Sequence, residues 1–218
     1  MPPTSPTPSS ATSPPTGSSD GTGHLVDEEE PPNPVNLYGF PRPRRSSSPT
    51  GPRPASWLGS AASRGCTRRG RRGRAQDVGF GYFVLALAET LGRGERFTVW
   101  EDPAINSVAT PIVAPEIGAL LGRAVDRRVT GVLHFAGGTA VTRRELAVAT
   151  CGVFGLDPDL LDFGPPPDEA RLPAPVPYDT SMSGAATMAR LGTTAHPLHA
   201  QLAALQRELV EGRPVPLS

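Results

Sequence analysis

Residues 130–147 read TGVLHFAGGTAVTRRELA, and this stretch decides the fold class. The apolar run over 130–137 predicts a buried strand that ends at a pair of glycines. Thr142 and Glu145 then stand three positions apart before an apolar segment. This spacing is typical of a capping box, in which each side chain binds the other residue's backbone N–H at the start of a helix. A strand, a glycine turn and a helix in this order indicate an α/β protein.

Alternating helical and extended segments continue on both sides of this unit. The predicted elements are a helix over 80–91, a strand over 97–100, an extended segment over 105–113, a helix over 114–127, the strand and capped helix above, a short helical turn from 157, a rigid Gly-Pro loop from 164, an extended piece over 176–180 and a helix over 197–210. In the helix over 114–127, apolar spacing predicts a buried face made by Ile117, Leu120, Leu121 and Val125. We therefore expect an α/β domain over residues 77–213.

The chain before residue 77 has a different composition. Residues 1–22 are almost wholly Pro, Ser, Thr, Gly and Ala, which predicts a disordered tail because little apolar surface can be buried. Residues 23–40 carry turn chemistry and an aromatic residue, and we interpret them as the remnant of a folded domain. Residues 41–76 hold ten arginines and no acidic residue, which predicts an unstructured linker. Two alternatives for 41–76 are a nucleic-acid-binding patch, with Trp57 as a stacking residue, and translation from a wrong reading frame of a GC-rich gene.

Charge and cysteine content limit the classes of function. The chain has 21 basic and 21 acidic residues, so its overall charge does not favour a nucleic acid or a membrane surface as partner. Every basic residue other than histidine is arginine, because the sequence contains no lysine. Cys66 and Cys151 lack the spacing of a zinc site or a disulfide framework, which predicts no metal and is consistent with the cytoplasm. The sequence contains no run of eighteen apolar residues, so no membrane span is predicted.

Three segments, in this order, resemble one family. The first is DEEEPPNPVNLYG over 27–39, an acidic, proline-containing lead-in to a tyrosine. The second is FTVWEDPAINSVATP over 97–111, and the third is the stretch over 130–147. Together they are similar to the extended short-chain dehydrogenases that act on nucleotide-linked sugars, and in particular to the dTDP-4-dehydrorhamnose reductases. The resemblance implies the C-terminal, substrate-side part of an NAD(P)-binding Rossmann-type α/β fold, with the dinucleotide-binding half largely absent.

The resemblance also implies a catalytic group. In the family, hydride passes from NADPH or NADH to the keto group of a nucleotide-linked sugar, and a tyrosine gives a proton to the developing alkoxide. By this resemblance Tyr38 is the proton donor. Its pKa, ordinarily about 10, must be lowered by a nearby cation, which the family supplies as a lysine four positions later. Here Arg42 holds that position, and Ser19 matches a hydroxyl that assists the tyrosine.

On the sugar side, the resemblance implies that Asn106, Ser107 and Thr110 approach the nucleotide-sugar substrate. Each of the three is also interpretable as an ordinary polar residue of a turn or strand edge. His134 lies within an apolar run and is predicted to be a core histidine. Arg143 and Arg144 open a helix, and we expect them to be solvent-exposed, with a phosphate contact as the alternative.

Several observations leave alternatives open for the function. Pro41 and Pro43 flank Arg42 and oppose the helix that a four-residue spacing needs. Gly17, Gly21 and Gly23 form no glycine-rich turn between a strand and a helix, so no dinucleotide site is predicted. The sequence therefore predicts an impaired reductase, a non-catalytic nucleotide-sugar-binding or regulatory subunit, or a frameshifted relic. A homodimer or a partner subunit is consistent with the first two.

Overall fold

The computed structural model describes residues 20–31, 33, 35, 83–171, 174–212 and 217. In this part of the chain the helices and strands are, in order, α1 (Phe83–Gly92), β1 (Phe97–Trp100), β2 (Val108–Ala109), α2 (Ala114–Asp126), β3 (Val141–Thr142), α3 (Arg143–Phe154), β4 (Leu161–Gly164), α4 (Ala185–Leu191) and α5 (Leu198–Glu211). Short 3-10 turns cover Pro158–Leu160 and Asp168–Ala170. No helix in these ranges is long and apolar enough to cross a bilayer. Most of the predicted tail over 1–22 and all of the predicted linker over 41–76 lie outside the described residues.

The larger apolar core lies between a two-stranded sheet and three helices. β1 and β4 pair in parallel, with Phe97 opposite Leu161 and Trp100 opposite Gly164. α1 and α3 pack against β1, α5 packs against α3, and the Phe83 ring meets the Phe97 ring edge-on at 5.9 Å between centroids. Fully buried members of the core include Phe83, Leu87, Val99, Leu146 and Leu202. This half of the molecule matches the predicted α/β class.

A smaller core joins α2, α4 and the extended segment over 133–136. Its buried members are Ile112, Leu120, Ala124, Leu133, Phe135, Met188 and Leu191. β2 and β3 pair antiparallel, with Val108 opposite Thr142, and so bring the start of α3 beside the segment over 105–110. Val108 also bridges to Asp179, which adds the chain after residue 177 to this edge.

Local sequence explains the helix boundaries. In α3 the predicted capping box is present: Glu145 N–H donates to Thr142 Oγ1 at 3.1 Å, and Thr142 N–H donates to Glu145 Oε2 at 2.8 Å. This arrangement lowers the pKa of the Glu145 carboxyl, because the Thr142 N–H stabilises the charged form. α3 ends at Gly155, whose φ of 67° is a conformation that glycine adopts without a steric penalty. α2 begins with Pro115 in its first turn, as predicted.

Several features of the secondary structure and of side-chain burial differ from the expectations. The segment over 133–136 is buried, but no strand is assigned to it within the described residues, and the His134 N–H there donates to a side chain, Thr187 Oγ1, at 2.8 Å. β4 was predicted as turn and loop, since four residues carry too short a pattern. α4 was not predicted at all. Val125 is 68% exposed, because the buried face of α2 runs through Glu116, Leu120 and Ala124 instead.

Candidate functional site

The predicted catalytic residues Ser19, Tyr38 and Arg42 lie outside the described residues. The chain between Ser19 and Tyr38 is described over 20–31, and we call this stretch the lead-in segment. It lies along residues 177–187, on the side of the smaller core. The structure therefore gives the surface on which the chain leading to Tyr38 is held.

Backbone pairing holds the centre of the lead-in segment. Val26 forms a parallel bridge to Met182. Val26 N–H donates to Ser181 O at 3.1 Å, and Ser183 N–H donates to Val26 O at 2.9 Å. Leu25 N–H donates to Ser181 Oγ at 2.8 Å. Because these bonds use the lead-in's backbone, its position depends little on its own side chains at 25 and 26.

His24, Asp179 and Ser181 meet, but not in the geometry of a catalytic triad. His24 Nδ1 lies 2.7 Å from Asp179 Oδ2 and 3.3 Å from Ser181 Oγ, so both partners face the same ring nitrogen. A triad needs the acid on one nitrogen and the hydroxyl on the other. Ser181 is also fully buried and accepts from a backbone N–H. The three side chains therefore fasten the lead-in segment and form no nucleophile.

A buried threonine connects the lead-in segment to two other parts of the fold. Thr187 is 0% exposed, and its N–H donates to Glu28 Oε1 at 3.1 Å. Its hydroxyl also donates to Glu28 Oε1, and it accepts from His134 N–H. His134 is a core histidine, as predicted, and its Nδ1 lies 3.2 Å from Ser183 O. Sequence reasoning did not single out Glu28 or Thr187.

Asn106, predicted to approach the substrate, is 6% exposed and hydrogen-bonded within the protein. Its Nδ2 donates to Pro177 O at 3.0 Å, to Thr180 Oγ1 at 2.9 Å and to Tyr178 O at 3.3 Å. Its Oδ1 accepts from the Thr180 hydroxyl at 3.3 Å. Asn106 thus joins the segment after β1 to the segment that supports the lead-in.

Ser107 and Thr110 are buried on the same segment. Ser107 Oγ makes only long hydrogen bonds, to Asp102 O at 3.4 Å and Ile105 O at 3.3 Å. Thr110 Oγ1 accepts from Met182 N–H at 3.2 Å. The structure therefore brings the three predicted substrate residues together along one segment, with their polar atoms directed at protein partners. Their contact with a substrate stays a prediction.

Arg143 corrects an expectation, because it is 1% exposed and does not face solvent. Its Nε donates to Asn106 O at 2.7 Å, and its backbone N–H donates to Ser107 O at 3.0 Å. The guanidinium also lies 5.7 Å from the centre of the Phe83 ring. β2–β3 pairing turns this first helical residue inward, which the sequence pattern did not show.

Two arginine–carboxylate pairs hold the loop that precedes Asn106. Arg144 is half exposed and binds Glu101 through two hydrogen bonds of 2.7 Å, while its guanidinium lies 3.6 Å from the centre of the Phe163 ring. Arg171 Nη2 lies 2.8 Å from Asp102 Oδ2. The Arg171 hydrogen bond lowers the pKa of the Asp102 carboxyl, and the Ala104 N–H adds to this effect.

An open cavity of about 530 Å³ lies beside the lead-in segment. Glycine, alanine, two methionine side chains and several hydroxyls line it, and no charged residue does. The lining residues are Leu25, Gly137, Gly138, Thr139, Ala140, Met182, Ser183, Gly184, Ala185, Met188, Ala189, Thr193, Thr194 and Ala195. Such a lining accommodates an uncharged ring better than a diphosphate, which needs cations or directed amides.

The glycine pair at the cavity is packed against backbone and does not form an anion cradle. A Cβ at Gly137 would collide with Pro111 O, and one at Gly138 would lie 3.0 Å from His196 O. Gly138 N–H already donates to His196 O at 2.9 Å. The Thr142 capping box occupies the start of the helix that follows. This turn therefore does not fit a dinucleotide pyrophosphate, which needs open amides at a helix start.

Glu116 is a buried carboxylate behind the Gly138 wall. It accepts from His196 N–H at 3.2 Å, from His196 Nδ1 at 2.8 Å and from the Gln201 amide. These partners fasten the first turn of α2 to the turn before α5. In the described ranges, no group of three His, Cys, Asp or Glu residues is arranged to hold a metal ion.

Comparison with known proteins identifies the fold. No family model matches the chain, and no curated protein matches it. A hypothetical dTDP-4-dehydrorhamnose reductase from Sulfolobus tokodaii is 19% identical, covers 83% of this chain and aligns over 57% of its own length with a TM-score of 0.54. The dTDP-4-dehydrorhamnose reductase from Bacillus anthracis, in complex with NADP, is 12% identical over 92% of this chain and 65% of its own length, with a TM-score of 0.57.

MoeE5, in complex with UDP-glucuronic acid and NAD, is 19% identical over 88% of this chain and 61% of its own length, with a TM-score of 0.52. The chain thus spans less than two thirds of the length of these three proteins. The chain therefore shares the fold of part of these Rossmann-type structures, which confirms the predicted α/β class, and the resemblance to the reductases is confirmed as a similarity of fold.

Proposed function

We propose that this chain acts on a nucleotide-linked 4-keto sugar, as a reductase of the dTDP-4-dehydrorhamnose reductase kind that uses NADPH or NADH. One observation carries the proposal: the order and packing of its elements align with reductases of this kind over 83–92% of the chain. At 12–19% identity the shared property is the fold, and a fold hosts more than one function.

In this proposal Tyr38 donates a proton to the sugar oxygen, and Arg42 supplies the positive charge that lowers the tyrosine pKa. Ser19 assists through its hydroxyl. The docked lead-in segment supports this assignment, because it fixes residues 20–31, which lie between Ser19 and Tyr38 in the sequence, beside the cavity that Leu25 borders. An uncharged ring of the ligand, either the sugar or the base, would lie in that cavity.

A specific observation favours a second candidate, a non-catalytic subunit that binds a nucleotide sugar. In the described part of the chain, the glycine turn before α3 is closed by backbone packing and does not fit a dinucleotide. The sequence also lacks any lysine to serve the tyrosine. Arginine does not replace lysine freely at a site shaped for an ammonium group. Such a subunit binds the nucleotide sugar in the cavity and transfers no hydride.

Two titrations on the purified full chain separate these candidates. The first follows NADPH binding by fluorescence, and the second follows dTDP binding by calorimetry. A third assay measures loss of NADPH absorbance with dTDP-4-dehydrorhamnose as substrate. Tyr38→Phe is the matched control for turnover, because it removes one hydroxyl and keeps the ring.

A reductase binds both ligands, oxidises NADPH when the sugar nucleotide is added and loses that turnover in Tyr38→Phe. A binding subunit binds dTDP with a saturable isotherm and does not bind NADPH. Neither the unaltered chain nor Tyr38→Phe then shows turnover. Failure of both ligands to bind at millimolar concentration would refute both candidates.

A further inference from the structure

Three separate segments of the chain meet at one side chain, Thr187. Its hydroxyl and its N–H both donate to Glu28 Oε1, and the hydroxyl accepts from His134 N–H at 2.8 Å. A hydroxyl has one proton, so the donor and acceptor roles are both in use. Thr187 is fully buried and His134 nearly so, which makes loss of any of these partners costly.

The same three segments contribute walls to the cavity, which residues 193–195 complete. The lead-in segment contributes Leu25, three residues before Glu28. α4 and the residues before it contribute Met182 and Met188, the latter next to Thr187. The third wall begins at Gly137, three residues after His134. A change in the Glu28–Thr187 contact therefore reaches all three walls.

Within the acidic run over 27–30, only Glu28 makes this connection. Asp27 Oδ1 accepts from the backbone N–H groups of Glu29 and Glu30, at 2.9 and 3.2 Å, and so forms a local turn. Glu29 and Glu30 are exposed, whereas Glu28 is half-buried. Glu29 is the same residue type in the same turn, with an exposed side chain, which makes it a matched control.

We propose that Glu28 is a positioning residue: through Thr187 it sets the separation of the cavity walls, and thereby the affinity for the ligand of that cavity. The identity of the ligand rests on the function proposed above, and dTDP serves as its probe. The effect on the walls does not rest on that function, and it can be measured without a ligand.

Methionine methyl groups report the walls directly. The chain has three methionines, and two of them, Met182 and Met188, line the cavity. In full-length protein labelled with [methyl-¹³C]methionine, Glu28→Ala is expected to shift both methyl resonances, and Glu29→Ala to shift neither. In Glu28→Gln both methyl resonances should lie close to their positions in the unaltered protein, because the Gln amide oxygen can accept from both Thr187 donors. Thr187→Val produces a shift of its own, and Glu28→Ala adds nothing in that background. Unchanged Met188 resonances in folded Glu28→Ala would overturn the proposal.

Affinity distinguishes positioning from simple support of the fold. At a temperature where all variants are folded by circular dichroism, Glu28→Ala, which removes both hydrogen bonds from Thr187, is expected to weaken dTDP binding about tenfold, a change equivalent to about one charge-assisted hydrogen bond. The affinity of Glu28→Gln for dTDP should stay within about twofold of that of the unaltered protein, and the affinity of Glu29→Ala should equal that of the unaltered protein. Equal affinity in Glu28→Ala and the unaltered protein refutes the inference. If the unaltered protein does not bind dTDP, the proposed function fails, and the methyl resonances still decide whether Glu28 sets the walls. If Glu28→Ala does not fold, the same comparison is made with Glu28→Gln and Thr187→Ser against Thr187→Val.

Discussion

Replacing Asn106 by alanine tests whether this predicted substrate residue serves the fold. The buried amide donates to Pro177 O and Thr180 Oγ1, and more weakly to Tyr178 O. Tyr178 O keeps two other donors, the N–H groups of Ser107 and Val108, at 2.8 and 3.1 Å. The substitution therefore removes the amide donor of Pro177 O and breaks the Asn106–Thr180 pair.

The magnitude follows from these contacts. A typical hydrogen bond contributes about 1 kcal/mol net, and a buried polar group left without its partner costs about 1–3 kcal/mol. For Asn106→Ala we expect a loss of about 3 kcal/mol in the free energy of unfolding. For a chain of this length that loss lowers Tm by about 6–12 °C.

Urea unfolding followed by circular dichroism at pH 7 measures this loss, with Ser107→Ala as the control. The Ser107 hydroxyl makes only long hydrogen bonds, and its removal should cost less than about 1 kcal/mol. Asn106→Asp should be more destabilising than alanine at pH 7, because a carboxylate oxygen would face Pro177 O. Burial of a carboxylate oxygen against carbonyl oxygens raises the pKa of that new carboxyl above its unfolded value, so stability rises as pH falls and the carboxyl gains its proton.

An unchanged unfolding free energy in Asn106→Ala, together with weaker dTDP binding, would refute this reasoning. Asn106 would then be a ligand-binding residue, as its place in the sequence resemblance implies. A stability loss with unchanged affinity for dTDP would leave it a purely structural residue.

Three further predictions concern the capping box, the glycine turn and a surface ion pair. Thr142→Ala should lower the free energy of unfolding in urea by about 1 kcal/mol. An unchanged free energy would show that the cap does not form in solution. The lowered pKa of Glu145 means that its stabilisation is present above the unfolded pKa of about 4.3 and is lost as pH falls through the folded value, so the gap between Thr142→Ala and the unaltered protein should narrow on acidification. Gly137→Ala should destabilise by more than about 2 kcal/mol, because its Cβ would overlap backbone, and a neutral effect in thermal unfolding would contradict the packing. Arg144→Ala should cost less than about 1 kcal/mol despite its pairing with Glu101, since both groups are largely exposed, and high salt should reduce the difference further.

Local patterns in the sequence predicted the elements that carry their own signals. The helix after residue 142 has a capping box and an apolar face, so both its start and its type were predictable. α4 has seven residues and a glycine before it, and it is held from outside by Glu28. Its stability comes from tertiary contacts, which no local pattern records. The same reason applies to Arg143, whose burial depends on strand pairing.

The same contrast between local sequence patterns and tertiary contacts applies to the candidate site. The acidic lead-in was recognisable in the sequence as a motif, but its partner Thr187 lies among small residues without a distinctive pattern. Asn106, Ser107 and Thr110 were predicted to lie on one segment, and they do. Their engagement with residues 177–182 could not be predicted, because it pairs positions more than 70 apart in the chain.

The Glu28–Thr187 contact also sets an order of events during synthesis. The two residues are 159 positions apart, so at about 5–20 residues per second the ribosome adds Thr187 about 8–30 s after Glu28. During that interval the lead-in segment has already been synthesised, but the surface on which it docks is incomplete. Its four consecutive acidic residues over 27–30 favour hydration during that interval, and the contact with Thr187 cannot form before residue 187 has been added.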